Sequence, residues 1–247
     1  MTIVFITGVG RGIGRALVEA YLAQPNTTVI GSVRNKADAK YQELQNSPAA
    51  SGSKLILVSI ESSSQTDPKQ AVEEIQAAGI GHVDIAIANA GYSPPFAGAD
   101  SVALKDVEES FRVNALAPLA LYQALKPLLD KSSAPKWITM SSAVGSITNI
   151  ELYGVSGLIS YGVAKAALNW ITVAAQGADK NLIAFSVHPG LVQTDMGNAG
   201  ARAAGLEKAP VTLETVTSKL LPFIAEATRE KTSGKFFNLD DDTELPW

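Results

Sequence analysis

Short runs of β-branched and apolar residues alternate along this chain with longer stretches in which apolar side chains recur every three or four positions. The first pattern suits strands buried on both faces of a parallel sheet. The second suits helices that pack on such a sheet through one stripe. Strands are expected at Thr2–Thr7, Thr27–Val33, Lys54–Ile60, Val83–Ala88, Lys136–Met140, Asn181–Val187 and Lys235–Leu239. Helices are expected at Arg15–Ala23, Gln70–Ala78, Leu104–Asn114, Leu116–Leu129, from Tyr161 onward, and at Leu213–Ala227. Pro118 and Pro127 lie inside the Leu116–Leu129 pattern and blur its ends. Gly197–Lys208 is small and polar with no clear period. Strands alternating with helices predict an α/β fold, with a doubly wound parallel sheet of about seven strands and helices on both faces. No repeat, linker or composition break divides it, so residues 1–247 read as a single domain.

The polar punctuation falls after the strands. Gly8-Val9-Gly10-Arg11-Gly12-Ile13-Gly14 follows the first strand and opens the first helix. Strand, glycine-rich turn and helix together are the context of a Rossmann dinucleotide site. Glycines let the backbone approach a pyrophosphate, and the helix start offers amides and partial positive charge. The bland alternative is a tight turn and nothing more. An NAD-specific site wants an acid after the second strand, for the ribose 2′-hydroxyl; this chain has Ser32-Val33-Arg34-Asn35-Lys36 there. Arg34 suits a 2′-phosphate, and Arg11 could reach the same group, which predicts NADP(H). Asn89-Ala90-Gly91, Ser142 and Pro189-Gly190 also follow strands, where open parallel sheets bind ligands.

Composition removes several classes. With 20 basic and 24 acidic residues the formal charge is −4, and no long basic run marks a nucleic-acid binder. There is no cysteine, which excludes disulfides, thiolate metal sites and a cysteine nucleophile, and two histidines are too few for a histidine metal site. No apolar run approaches a membrane span, and the N-terminal segment lacks the basic flank of a secretory signal. A soluble, cytoplasmic protein with no membrane partner is the expectation.

Tyr161 and Lys165 stand one helical turn apart and share a face. A cation beside a phenol favours the phenolate, and a tyrosine acidified in that way can exchange a proton near neutral pH. On its own such a pair is more often an ordinary surface contact. His188 precedes Pro189-Gly190 and has no acid pointing to it in the sequence, which reads as structural. No Gly-x-Ser-x-Gly elbow supports a serine hydrolase.

Taken in order, these pieces resemble the short-chain dehydrogenase/reductase family over essentially the whole chain. Thr7-Gly8-x-x-x-Gly12-x-Gly14 is similar to its cofactor loop, and Ala88-Asn89-Ala90-Gly91 to its Asn-Asn-Ala-Gly, with alanine first. Asn114, Ser142, Tyr161 and Lys165 match its catalytic tetrad; Ser141 is the neighbouring alternative, and position in the motif favours Ser142. Pro189-Gly190, Val192 and Thr194 match the segment that covers the nicotinamide. Within the family the chain looks like the sniffer-type carbonyl reductases and the fungal norsolorinic acid ketoreductases. Their likeness rests on Ser141–Ile147, His188–Gly197, and the ending Gly234–Asn238 through Leu245-Pro246-Trp247.

The resemblance implies an NADPH-dependent reductase acting on a ketone or aldehyde. Tyr161 would protonate the carbonyl oxygen and Ser142 would hydrogen-bond to it. Lys165 would lower the tyrosine pKa and hold the ribose, and Asn114 would anchor a water. Two departures stand out. Glu61 replaces the family's usual adenine-contacting aspartate, and the Ser142–Tyr161 interval is longer than is common. The added residues, around Asn149–Ile159, are expected to form a loop over the substrate.

The pocket would draw on Tyr92–Phe96, Val144–Ile159 and Leu191–Leu206. These segments hold Phe96, Ile147, Leu152, Tyr153, Leu158, Met196 and Leu206, a lining suited to a hydrophobic carbonyl compound. The resemblance further implies a homodimer or homotetramer through Leu116–Leu129 and Tyr161–Ala175, or a monomer, as carbonyl-reductase relatives can be. Alternatives are an NAD-dependent alcohol dehydrogenase and a catalytically silent nucleotide-binding regulator of the same fold.

Overall fold

One sheet of eight strands runs through the molecule in the order β3-β2-β1-β4-β5-β6-β7-β8. The structure, a computed structural model, describes residues 1–247. Along the chain lie β1 (Thr2–Thr7), α1 (Gly12–Leu22), β2 (Thr27–Val33), α2 (Gln42–Gln45), β3 (Lys54–Ser59), α3 (Asp67–Ala77), β4 (Ile85–Ala88) and α4 (Leu104–Phe111). Then come α5 (Ala117–Leu129), β5 (Lys136–Met140), α6 (Ile159–Ala178), β6 (Ile183–His188), α7 (Asp195–Ala203), α8 (Leu213–Glu226), β7 (Phe236–Asn238) and β8 (Thr243–Glu244). β1 to β7 are parallel, and β8 returns antiparallel to β7, with Phe237 opposite Glu244.

The period-two geometry of each strand divides the core in two. Val4 and Ile6 face one way, into a cluster with Leu17, Val18 and Leu22 of α1 and Leu220 and Ile224 of α8. Ile3 and Phe5 face the other way, into a cluster with Val72 and Ile75 of α3 and Leu121, Leu125 and Leu128 of α5. This is why β1 reads as an unbroken apolar run: both of its faces are dry. The strand order reverses between β1 and β4, which opens the crevice at their C-terminal ends.

Several boundaries differ from the sequence expectation, each for a local reason. The two helices expected at Leu104–Asn114 and Leu116–Leu129 are one continuous rod, joined by a π-helical turn at Arg112–Leu116. Pro118 follows that π-helical turn directly, inside the rod, and has no N–H to donate to the preceding turn. α7 fills part of the segment that showed no period, because only Ala201 of its nine residues is buried. β8 was not foreseen: two exposed residues carry no alternation to detect. The short helix α2 was likewise unmarked; of its residues only Leu44 is buried. No helix is long and apolar enough to cross a membrane.

Candidate active site

The glycine turn sits at the junction of β1 and β4. The Thr7 hydroxyl accepts the Asn89 and Ala90 N–H groups, both at 2.9 Å, and the Asn89 amide donates back to the Thr7 carbonyl at 2.8 Å. Asn89 is therefore a tie between strand ends, with its side-chain donor already engaged. Gly8 has φ +71° and packs on Ala90, where a Cβ would come within 3.0 Å of Ala90 Cα. At Gly14 a Cβ would fall 2.4 Å from the Gly8 carbonyl oxygen, so the helix can start this close to the strand only without a side chain. Arg11 is the N-cap residue of α1 yet supplies no side-chain cap, and the first turn carries no acid. The first amides of α1 thus keep their donors and partial positive charge for an anion, which fits a dinucleotide pyrophosphate.

Around this turn lie the other expected cofactor contacts. Ile13 packs against the small cluster of Val192, Val211 and Val216, which joins the first turn of α1 to the segment after β6. Gly190 turns that segment with φ +83°, and Val192 bridges to Val211. The Thr194 hydroxyl caps α7 by accepting the Gly197 N–H at 3.0 Å, and its methyl lies 3.1 Å from where a Gly12 Cβ would stand. Arg34 stands exposed at the end of β2 in no ion pair, while Lys36 pairs with Glu74 and Lys40 with Asp38. Glu61 is exposed at the end of β3.

Arg11, expected to join Arg34 on a 2′-phosphate, is paired with Asp195 at 2.5 Å, an exposed contact that spans the glycine turn and the start of α7. Tyr41 was not foreseen at all: it packs on the glycine turn, where a Gly10 Cβ would lie 2.7 Å from its ring. No motif marks it, and it lies beyond the second strand.

The expected tetrad converges at the ends of β4 and β5. Lys165 is only 2% exposed and donates to the Met140 carbonyl at 2.7 Å. Its Nζ sits 5.4 Å from the centre of the Tyr161 ring. Gly145 makes this possible, since a Cβ there would meet Lys165 Cβ at 2.8 Å. Ser142 lies just past β5 and caps the turn Ala143–Gly145. A hydrogen bond from its hydroxyl favours the Tyr161 phenolate. Asn114 lies in the π-helical turn, fully buried. Its amide donates to the Tyr92 carbonyl at 2.7 Å and to Ser110 at 3.1 Å, and its oxygen accepts the Tyr92 N–H at 3.0 Å. That side chain clamps the loop after Gly91, a role for Tyr92 and Ser110 that no sequence signal announced.

The electrostatics run against the expected direction. Burial pushes the Tyr161 phenol above its ordinary value, and the Ser142 hydrogen bond only partly opposes this. Burial lowers Lys165 to about 7. The acidic tyrosine expected from the one-turn spacing is therefore not what the chain alone produces, because both groups are desolvated together. The phenol holds its proton, and the ammonium titrates near neutrality. His188 is lowered to about 4 by burial, with Asp241 opposing, and its Nδ1 has no partner, so it stands as a neutral imidazole. No group of acidic or histidine side chains is arranged to hold a metal.

A half-buried tyrosine beside a buried lysine and serine, next to a glycine turn that fits a dinucleotide, defines an oxidoreductase architecture. The short chain dehydrogenase family model matches residues 2–204, and the chain belongs to that family. It is 47% identical to the short-chain dehydrogenase srdF of Neurospora crassa, over 100% of this chain and 98% of that protein. It is 38% identical to the norsolorinic acid ketoreductase nor1 of Dothistroma septosporum, over 100% and 92%. Among solved structures, the NADPH-bound carbonyl reductase from chicken fatty liver superposes with a TM-score of 0.85 at 27% identity, covering 100% of both chains. The carbonyl reductase Sniffer of D. melanogaster does so with a TM-score of 0.85 at 26% identity, again covering 100% of both. The chain is thus an oxidoreductase of this family with ketoreductase and carbonyl reductase relatives.

Proposed function

We propose that this protein reduces the ketone or aldehyde carbonyl of a hydrophobic small molecule with NADPH, and that Tyr161 is the general acid. The convergence of Ser142, Tyr161 and Lys165 within the cleft carries the reading. NADPH supplies the hydride when bound. Gly8, Gly10, Gly12, Ile13 and Gly14 would hold it by backbone approach, with Asn89, Ala90, Gly91, Pro189, Gly190, Val192 and Thr194 bordering the same crevice.

Ser142 donates to the carbonyl oxygen and fixes it beside the phenol. Tyr161 then gives its proton to that oxygen as negative charge develops there. A phenol kept protonated by burial is in the right state to donate. The protonated Lys165 stabilises the phenolate left behind. Asn114, adjacent to Gly91 and Lys165, keeps the route by which the proton is restored through water.

NADP(H) over NAD(H) is supported by the free, exposed Arg34 where an acid would otherwise stand. The chicken carbonyl reductase being NADPH-bound agrees with it. An apolar substrate is supported by Phe96, Ile147, Leu152, Tyr153, Met196 and Leu206, all exposed on the segments expected to border the cleft. Self-association as a homodimer or homotetramer belongs to the same proposal, with Leu116, Val163 and Trp170 exposed on the expected helices. Light scattering at micromolar concentration reads the assembly.

The test of the chemistry is an NADPH-oxidation screen over aromatic and aliphatic ketones, run beside Tyr161→Phe. The variant should lose on the order of 10²–10⁴-fold in turnover, the usual weight of a positioned general acid. Its NADPH affinity, read by fluorescence, should stay near wild type. Retained turnover in Tyr161→Phe removes the tyrosine from the reaction.

A further inference from the structure

The last residues of the sequence are fastened to the loop that follows Ser142. Ser146 is fully buried, and its hydroxyl donates to the Pro246 carbonyl at 2.7 Å. Thr148 donates twice to the Trp247 main-chain oxygen, from its N–H at 3.1 Å and from its hydroxyl at 2.9 Å. The Trp247 indole stacks on Phe236, with ring centres 5.7 Å apart and planes 14° from parallel. Phe236 is fully buried in β7, and its carbonyl accepts the Leu245 N–H at 2.7 Å. The β7–β8 hairpin thus carries Pro246 and Trp247 across to Ser146 and Thr148. The far end of the same loop is held by a strand-like bridge between Ala97 and Leu158. Between these two anchors Ile147 and Leu152 are 70% and 76% exposed.

We infer that Leu245–Trp247 is a strap that positions the 146–158 loop over the substrate side of the cleft, and so sets which carbonyl compounds seat beside Ser142. This rests on the reductase reading above. Without the strap, Thr148 and Ser146 would turn to water, and the loop would have to be ordered at the moment the substrate binds. The cost of ordering falls on substrate affinity. None of the strap's hydrogen bonds or its ring stack involves the glycine turn, so cofactor affinity is insulated from it. Ser146, Thr148 and Trp247 are positioning residues, since they act through the loop.

The experiment compares Trp247→Ala, Thr148→Val and the conservative Trp247→Phe with wild type. In the first two, KM for a bulky aromatic ketone should rise roughly three- to tenfold, the worth of one hydrogen bond or ring contact. kcat and NADPH affinity should stay within about twofold of wild type. Amide exchange across 146–158 should quicken, and Trp247→Phe should restore both readouts. Unchanged KM together with unchanged exchange in that loop overturns the inference. So does a loss of NADPH affinity equal to the rise in KM. If Trp247→Ala does not fold, Thr148→Val, which removes one exposed hydroxyl, decides alone. A wild-type protein that turns over no ketone defeats the reductase reading, and the exchange measurement then judges the strap by itself.

Discussion

On the cofactor side of the cleft, Thr7, Asn89 and Ala90 bind two adjacent strand ends to each other, and Gly8 and Gly14 allow backbone to touch backbone. On the side proposed to take the substrate, the loop from Ser146 to Leu158 leans on residues far away in sequence, Pro246 and Trp247 at one end and Ala97 at the other. The first region is over-determined, and its shape follows from glycine positions that tolerate no Cβ. The second is held by a few contacts, and its chemistry can change by altering loop or tail without disturbing the turn. A common cofactor and variable substrates would call for this division of labour.

Gly14→Ala should break the cofactor side most severely. Its new Cβ must push away the Gly8 carbonyl, an overpacking that typically costs about 1–3 kcal/mol or more. Melting temperature and NADPH titration should fall together, while a change confined to turnover would contradict the geometry.

Next in size is Arg34→Ala. Loss of a charge-assisted contact of about 1.5–3 kcal/mol predicts roughly ten- to hundredfold weaker NADPH binding. NADH binding should hardly move. Equal weakening of both would remove the 2′-phosphate role.

Lys165 sharpens the comparison through pH. Its folded pKa of about 7 lies below its ordinary 10.5, so protonation favours the unfolded chain. The resulting penalty is absent above 10.5, grows as pH falls towards 7, and is complete below that. Lys165→Met should therefore raise the melting temperature more at pH 6 than at pH 10, although it abolishes turnover. In the wild type, kcat/KM for reduction should decline as pH rises through about 7, where the ammonium is lost.

The smallest effect is expected at Asp195→Asn. The Arg11–Asp195 pair is about 78% exposed on both sides, and such pairs contribute about 0–1 kcal/mol. Stability should be nearly unchanged, and a large drop would mean that the pair does more than bridge the mouth of the cleft.

Much of this was legible in the residues before the fold was known. The parallel strands announced themselves because both faces are buried and β-branched, and β1, β2 and β5 end where the pattern said. The glycine turn and the Tyr161–Lys165 pair were visible as local spacings. What stayed hidden depends on relations the chain does not write locally. The π-helical turn looks like a break between two helices, because it inserts one extra residue per turn and shifts the apolar register. The direction of the Tyr161 and Lys165 shifts depends on how far each is desolvated, which spacing alone does not encode. The partners of Ser146 and Thr148 are about a hundred residues away.

The two-residue strand β8 has a consequence for assembly. It occupies the outer hydrogen-bonding edge of β7 through Asn238 and Phe237, running opposite to every other strand. β8 is then the edge strand, and at two residues it offers a second molecule only a short ladder to extend. Growth of the sheet by strand addition is thereby limited on that flank to about two residues of backbone pairing.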